Sequence, residues 1–282
     1  MSHHHPPQIL LTNDDGIGSL GLKALTSAMK KVGEVWVVAP ERPQNAVGRA
    51  LTLHKPLRST QLGKQMFAIN GTPADCVTLA IGKLMEHHPP ALLVSGINQG
   101  LNLGDDVTNS GTVSGAMEGR LHGIPSIAVS QEDHSRSRYK MVAEFTTCLA
   151  SMILRKSPLK DLLLNVNIPA CPIHKISGIR FTSLSQRRYL NQVIEKVDPR
   201  GKKYYWIAGE RITWHRKELS DFQAISQQMI SITPLHLDLT EYQSLKVLQT
   251  WGEGLTGCVP HEPSTRKRVS AKQRKPSRIM RP

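Results

Sequence analysis

The chain has 282 residues, 39% of them hydrophobic, which allows one large or two small domains and excludes a wholly disordered polymer. Its 36 Lys and Arg against 22 Asp and Glu leave a formal net charge of +14, which taken alone suggests nucleic acid, a phosphorylated substrate or a membrane surface as partner. No apolar run nears the ~20 residues that span a bilayer, no basic segment precedes an apolar one at the N-terminus, and Cys76, Cys148, Cys171 and Cys258 show no CxxC or metal-ligand spacing. A cytoplasmic protein with reduced thiols and no membrane contact is therefore expected.

Residues 1–8, with three adjacent histidines, are expected to stay outside the fold. Ile9 to Thr12 is a short apolar run of the kind that forms a buried strand. Leu22, Leu25, Met29 and Val32 then recur at helical spacing, with Gly33 in the place of a C-cap. Val35 to Val38 is the next strand, stopped by Ala39-Pro40, and Leu51 to Leu57 and Met66 to Ile69 read as two more. Thr72-Pro73-Ala74-Asp75 predicts a helix start, with Thr as N-cap, Pro at the first position and an acid at the third. That helix is expected to run to about Met85. A strand over Ala91 to Ile97, a helix over Gly111 to Leu121, a strand over Ile124 to Ser130, a helix over Lys140 to Arg155 and a strand over Leu162 to Ile168 follow.

The alternation predicts βαβ units and a mainly parallel sheet covered on both faces. Ligands of such sheets bind beyond the carboxyl ends of the strands, so the loops after Thr12, Val38 and Ile97 are the first places to look. From Ile179 onward the pattern changes. Strand-like pieces (Ile179 to Leu184, Tyr204 to Ile207, Ile230 to Thr233) are separated by long polar links, and a last helix is expected from Glu241 to Trp251. Arg266 to Pro282 holds eight bases and no acid, which leaves +6 for the rest of the chain. This tail reads as a solvated, disordered appendage. Nucleic-acid contact is the less favoured reading, because no aromatic residue interleaves with the charges.

The first of the three loops reads Asn13-Asp14-Asp15-Gly16. Two adjacent carboxylates at the end of a buried strand are costly unless a cation offsets them, and helix capping accounts for only one of the two. A divalent metal site is expected. Gly16-Ile17-Gly18-Ser19-Leu20-Gly21 also fits the G-x-G-x-x-G pattern of dinucleotide binding, but Asp14 and Asp15 would repel the pyrophosphate. Ser110-Gly111-Thr112 opens a helix with hydroxyls, free N–H groups and the positive end of a dipole, which suits a phosphate. Asp105-Asp106 is expected to brace the glycine-rich loop before it. Carboxylates and amides around a hard cation, beside a phosphate cradle, point to metal-assisted phosphoryl chemistry.

Longer stretches carry a resemblance. They are Leu11 to Gly16, Val38 to Arg42, Gly71 to Val77, Ser95 to Asn98, Asn102 to Asp106, Ser110 to Val113, Asn165 to Pro169, Asp198 to Gly201 and Ser231 to Leu235. In these motifs, which keep the family's order and cover about Ile9 to Trp251, the chain resembles the survival protein SurE family of metal-dependent 5′/3′-nucleotidases. The resemblance implies an α/β fold. It is a Rossmann-like three-layer sandwich with a mainly parallel sheet and C-terminal β-hairpin and helix extensions that exchange between subunits. On that basis residues 9–262 form the nucleotidase domain, with a core over about 9–175 and oligomerisation extensions over about 176–262. Residues 263–282 are the basic tail.

The implied activity is hydrolysis of nucleoside 5′-monophosphates, and also 3′-monophosphates, by a homodimer or tetramer. One divalent cation per subunit, Mg²⁺ or Mn²⁺, is implied as cofactor. Carried over, the metal ligands are Asp14, Asp15, Asn45 and Asn98, with Asp14 and Asp15 as the catalytic pair. Phosphate contacts fall on Asn102, Ser110, Gly111 and Thr112. Asn45 stands where the family's usual Ser does. Its amide oxygen is an acceptable neutral ligand, and its greater length bears on metal affinity and preference. Two readings compete with this one. A nucleic-acid-binding protein with an inactive enzyme-like domain draws support from the tail, and a dehydrogenase from the glycine pattern.

Overall fold

The structure, a computed structural model, describes residues 6–132, 135–156, 161–189, 192–208, 212–214, 218–252 and 255. The basic tail, residues 1–5 and Cys258 lie outside the described residues. The chain divides into one unit ending at Leu237 and a second beginning at Asp238.

The first unit begins with β1 (Gln8–Thr12), α1 (Leu20–Met29) and β2 (Glu34–Pro40). Next come β3 (Ser59–Gly63), β4 (Met66–Ile69) and α2 (Pro73–Leu79), which continues through a wider helical turn over Ala80–Leu84. Then follow β5 (Leu92–Gln99), α3 (Gly111–Leu121), β6 (Ser126–Gln131), α4 (Arg136–Lys156) and β7 (Leu163–Ile168). The capping box predicted for α2 is present: Thr72 accepts from Asp75 N–H, and the Asp75 carboxylate accepts from Thr72 N–H.

Later come β8 (Ile179–Phe181), β9 (Arg187–Tyr189), β10 (Gln192–Val197), β11 (Lys203–Ala208), β12 (Ile212–Trp214), α5 (Asp221–Ser226) and β13 (Ile230–Pro234). The second unit carries α6 (Tyr242–Gln249), capped by the Glu241 carboxylate.

Nine strands form one sheet in the order β3-β4-β2-β1-β5-β6-β7-β13-β8. The run from β4 through β7 is parallel, while β3 pairs antiparallel with β4, and β13 with β7. Strand order therefore reverses between β1 and β5, and the crevice at their carboxyl ends is the switch point where such sheets bind ligands. Alternation along the central strands divides the core into two layers. Ile9 and Leu11 of β1, with Val94, Ile127 and Val129, pack under Leu22, Leu25 and Met29 of α1 and Val142 and Ala150 of α4. Leu10, Leu93 and Ala128 face the other way, onto Cys76 and Val77 of α2 and Val113 and Ala116 of α3. The mainly parallel, three-layer α/β architecture expected from the alternation is what forms.

Two local expectations fail for identifiable reasons. Leu51 to Leu57 is irregular, and the strand starts instead at Ser59. The Thr52 N–H and hydroxyl both bond the Asp75 carboxylate, the Thr72 hydroxyl bonds Ala50 O, and Pro56 has no N–H, so the segment is tied to the start of α2. Gly33 is not the helix cap, since α1 closes on Lys30 in a right-handed conformation. Gly33 is required because a Cβ there would lie 2.2 Å from Pro7 O. The short helix α5 falls within polar sequence that carries no helical periodicity.

The C-terminal strands of the first unit form two small antiparallel ribbons, β10 with β11 and β9 with β12. They realise the expected hairpin extensions. No described helix is long and apolar enough to cross a membrane. Cys76, Cys148 and Cys171 are unpaired.

Candidate metal centre and phosphate cleft

The loop after β1 is a braced turn. The buried Asn13 amide donates to Gly16 O at 3.1 Å and to the Ser19 hydroxyl at 2.8 Å, and Ser19 in turn caps α1. Gly16 has φ +90°, a conformation that suits glycine. This turn carries Asp14 and Asp15 to the switch point. The loop after β2 is pinned to the same place by Gln44 N–H on Asp14 O, at 2.7 Å, which brings Asn45 alongside. From β5 comes Asn98, just past an irregularity in the β5–β6 register, a common device for re-aiming a side chain beside a site. The Asn98 amide nitrogen donates to Gly100 O at 2.9 Å, which leaves its oxygen for the cleft it lines.

These elements enclose a cleft of about 560 Å³ lined by Asp14, Asp15, Asn45, Asn98, Asn102 and Ser110, together with Gln99, Leu101, Asp106 and Asn109. Six of the eight residues expected at the site thus line one cleft. Gly111 and Thr112 are not among its lining residues; they lie behind Asp14. The Thr112 hydroxyl donates to Asp14 Oδ1, and Thr112 N–H also bonds that carboxylate. A Cβ on Gly111 would lie 2.7 Å from Asp14 Cβ, so only glycine lets α3 approach so closely. The positive end of α3 therefore acts first on Asp14. Ser110 caps the helix through Val113 N–H and also lines the cleft.

Asn102 is held from three directions. Asn167 of β7 accepts from its N–H at 2.8 Å and donates to its carbonyl at 3.0 Å; Asn165 donates to the same carbonyl at 2.8 Å. The Asn102 amide nitrogen donates to Ser130 of β6 at 2.7 Å. The next turn of the loop is held by Asp221 of α5, which accepts from Gly104 N–H at 2.8 Å and from Ser185 N–H at 2.9 Å. Asp106, expected to brace this loop, is one of the cleft residues. Cleft residues not anticipated from sequence are Ala46, Gln99, Leu101, Asp106 and Asn109. Asn109 had one local signal, its position immediately before the Ser110 cap.

Electrostatically the centre is unbalanced. Burial pushes the Asp14 carboxyl above its ordinary range, against the pull of the Thr112 bonds. Burial, and then the neighbouring Asp14 charge, raise Asp15 to about 6, opposed by Gln99 N–H. Two carboxylates raised in this way call for a cation. Among the described residues no three His, Cys, Asp or Glu side chains converge, and the oxygen donors lining the cleft beside the carboxylate pair include the neutral amides of Asn45 and Asn98. An all-oxygen set of this kind fits a hard divalent cation.

The family model of the survival protein SurE matches residues 9–191. A 5′-nucleotidase SurE of Geobacter sulfurreducens is 48% identical over 253 residues, covering 89% of this chain and 95% of that protein. One of Geotalea uraniireducens is 50% identical, covering 86% and 98%. The crystal structure of the SurE protein from Aquifex aeolicus superposes with a TM-score of 0.78 at 43% identity, over 87% of this chain and all of that one. The chain belongs to the survival protein SurE family.

Proposed function

We propose that the protein is a metal-dependent phosphomonoesterase that hydrolyses nucleoside 5′-monophosphates, with 3′-monophosphates as a secondary substrate, to nucleoside and phosphate. The observation that carries this reading is the adjacent pair of buried Asp14 and half-buried Asp15 at the switch point, facing a cleft lined also by amides and a helix N-terminus. The names of the relatives, 5′-nucleotidase over nearly the whole chain, support the substrate class.

Asp14, Asp15, Asn45 and Asn98 would hold one divalent cation, Mg²⁺ or Mn²⁺. Once bound, such an ion supplies Lewis-acid polarisation of a phosphoryl oxygen and a lowered pKa for bound water. The chain's own residues do the rest. The Thr112 bonds favour the ionised form of Asp14 and fix its orientation, and the Asp14–Asp15 pair would take a proton from the attacking water. Asn102 and the Ser110 end of α3 orient the phosphate oxygens and stabilise the charge that develops on them. Gly111 and Thr112 contribute by seating Asp14 at that helix end.

The domain spans 9–262. The β10–β11 ribbon exposes Val193, Val197 and Tyr205 on one face and Tyr204 and Trp206 on the other, apolar surface that supports its use between subunits of a homodimer or tetramer. The unpaired cysteines are in keeping with a cytoplasmic location. The basic tail is a solubilising appendage with no part in turnover.

The test is a phosphate-release screen over nucleoside 5′- and 3′-monophosphates, in EDTA and with Mg²⁺, Mn²⁺ or Co²⁺. Release that needs a divalent ion and favours nucleotides is expected, and its absence from every substrate refutes the reading. Deleting 266–282 should leave that rate unchanged.

A further inference from the structure

A second cavity, of about 300 Å³, opens on the same carboxyl edge of the sheet, between the start of α4 and the segment that follows β7. Its lining includes Ser137, Arg138, Ala170, Cys171 and Ile173, none of which belongs to the metal cleft. Arg138 is only 7% exposed. Its Nη1 donates to Cys171 O, while Nε and Nη2 are buried without any partner. The nearby Glu132 carboxylate accepts from Ala170 N–H at 3.1 Å, and among the described residues no carboxylate forms an ion pair with Arg138.

A guanidinium stays charged at any physiological pH, and a buried charge without a counter-charge is strongly unfavourable. Two unused N–H groups on a planar fork match the paired oxygens of a phosphate, and Arg138 lines the cavity. Arg138 lies in the first turn of the 21-residue α4, whose positive end adds to the same field. Helix dipole and guanidinium therefore act together on one cavity.

We propose that this cavity is an oxyanion site, separate from the metal centre, in which Arg138 and the N-terminal turn of α4 bind a phosphate group. Free inorganic phosphate and the phosphate of a nucleotide share the required chemistry. Ser137, an exposed residue, lines the same cavity.

Calorimetric titration of the full-length protein in EDTA separates this site from the metal centre. The probes are inorganic phosphate, AMP and, as the uncharged control, adenosine. Saturable binding of phosphate or AMP, but not of adenosine, is expected. Heat with phosphate identifies the free ion as ligand, and heat with AMP alone identifies the phosphomonoester. Arg138→Gln should weaken binding roughly tenfold or more, and Arg138→Lys less so. Asp14→Asn should leave it intact. Should Arg138→Gln fail to fold, Ser137→Glu provides an internal counter-charge and is expected to abolish binding while the protein stays folded. No saturable binding by the wild-type protein, or undiminished binding in a folded Arg138→Gln or Ser137→Glu variant, overturns the proposal.

Discussion

Thr112 donates both its hydroxyl and its backbone N–H to the carboxylate of Asp14. One of the four residues expected from sequence to touch a phosphate thus holds a carboxylate of the proposed metal centre. A hydrogen bond to a charged group is worth about 1.5–3 kcal/mol. Thr112→Val should therefore weaken Mn²⁺ binding by roughly 10- to 100-fold with little change in fold, as isothermal titration would read. Unchanged affinity would remove Thr112 from the centre.

Gly111 makes that contact sterically feasible. Gly111→Ala places a methyl 2.7 Å from Asp14 Cβ and 2.8 Å from Asp14 Oδ2, on a helix that is packed on the sheet. Overpacking of this kind costs about 1–3 kcal/mol. Metal affinity is expected to fall further than thermal stability does, because the displaced atoms are those of a ligand. Titration and a melting curve on the same sample provide the comparison.

The Asn102 clamp has its own signature. Asn167→Ala removes a bond to each side of the Asn102 peptide, while Asn165 keeps one of them. The expected result is a higher KM for nucleotide and weaker inhibition by phosphate, with metal affinity nearly unchanged. The loss of stability should be about 1–3 kcal/mol from unsatisfied buried groups. A change in metal affinity without a change in KM would place Asn102 in the wrong role.

Metal binding should depend on pH in a definite direction. Burial and the Asp14 charge raise Asp15 from 3.8 to about 6 in the metal-free protein. A folded pKa above the unfolded one means that protonation favours the folded state. That contribution is complete below the unfolded value and is lost as pH rises through about 6. A cation competes with the same protons. The rise in Tm on adding Mg²⁺ or Mn²⁺ should thus be large above about pH 7 and shrink as pH falls through about 6. Differential scanning fluorimetry across that range checks it; a rise independent of pH would separate the cation from the carboxylates.

Much of the fold was legible because strand and helix periods alternate cleanly from Ile9 to Ile168. The apolar runs that become β1, β2, β5, β6 and β7 have few other places to go in a chain of this kind. The carboxylate side of the cleft was legible for an electrostatic reason, since adjacent carboxylates at a strand end need an explanation wherever they occur. What could not be read was orientation and distance along the chain. Ser110 and Thr112 look alike as hydroxyls at a helix start, yet one lines the cleft and the other lies behind it. Gly104 is held by Asp221, 117 residues away, in a helix too short to leave a periodic signal. Leu51 to Leu57 looks like a strand until Thr52 is seen bonded to Asp75.

The most direct test of the central claim is the rate of phosphate release from AMP by Asp14→Asn at saturating Mn²⁺. The substitution keeps the shape of the side chain and removes one charge from the centre. The expected result is a loss of roughly 100-fold or more in kcat, from a protein that melts as the wild type does or higher. A rate near that of the wild type, with the metal still bound, would contradict it.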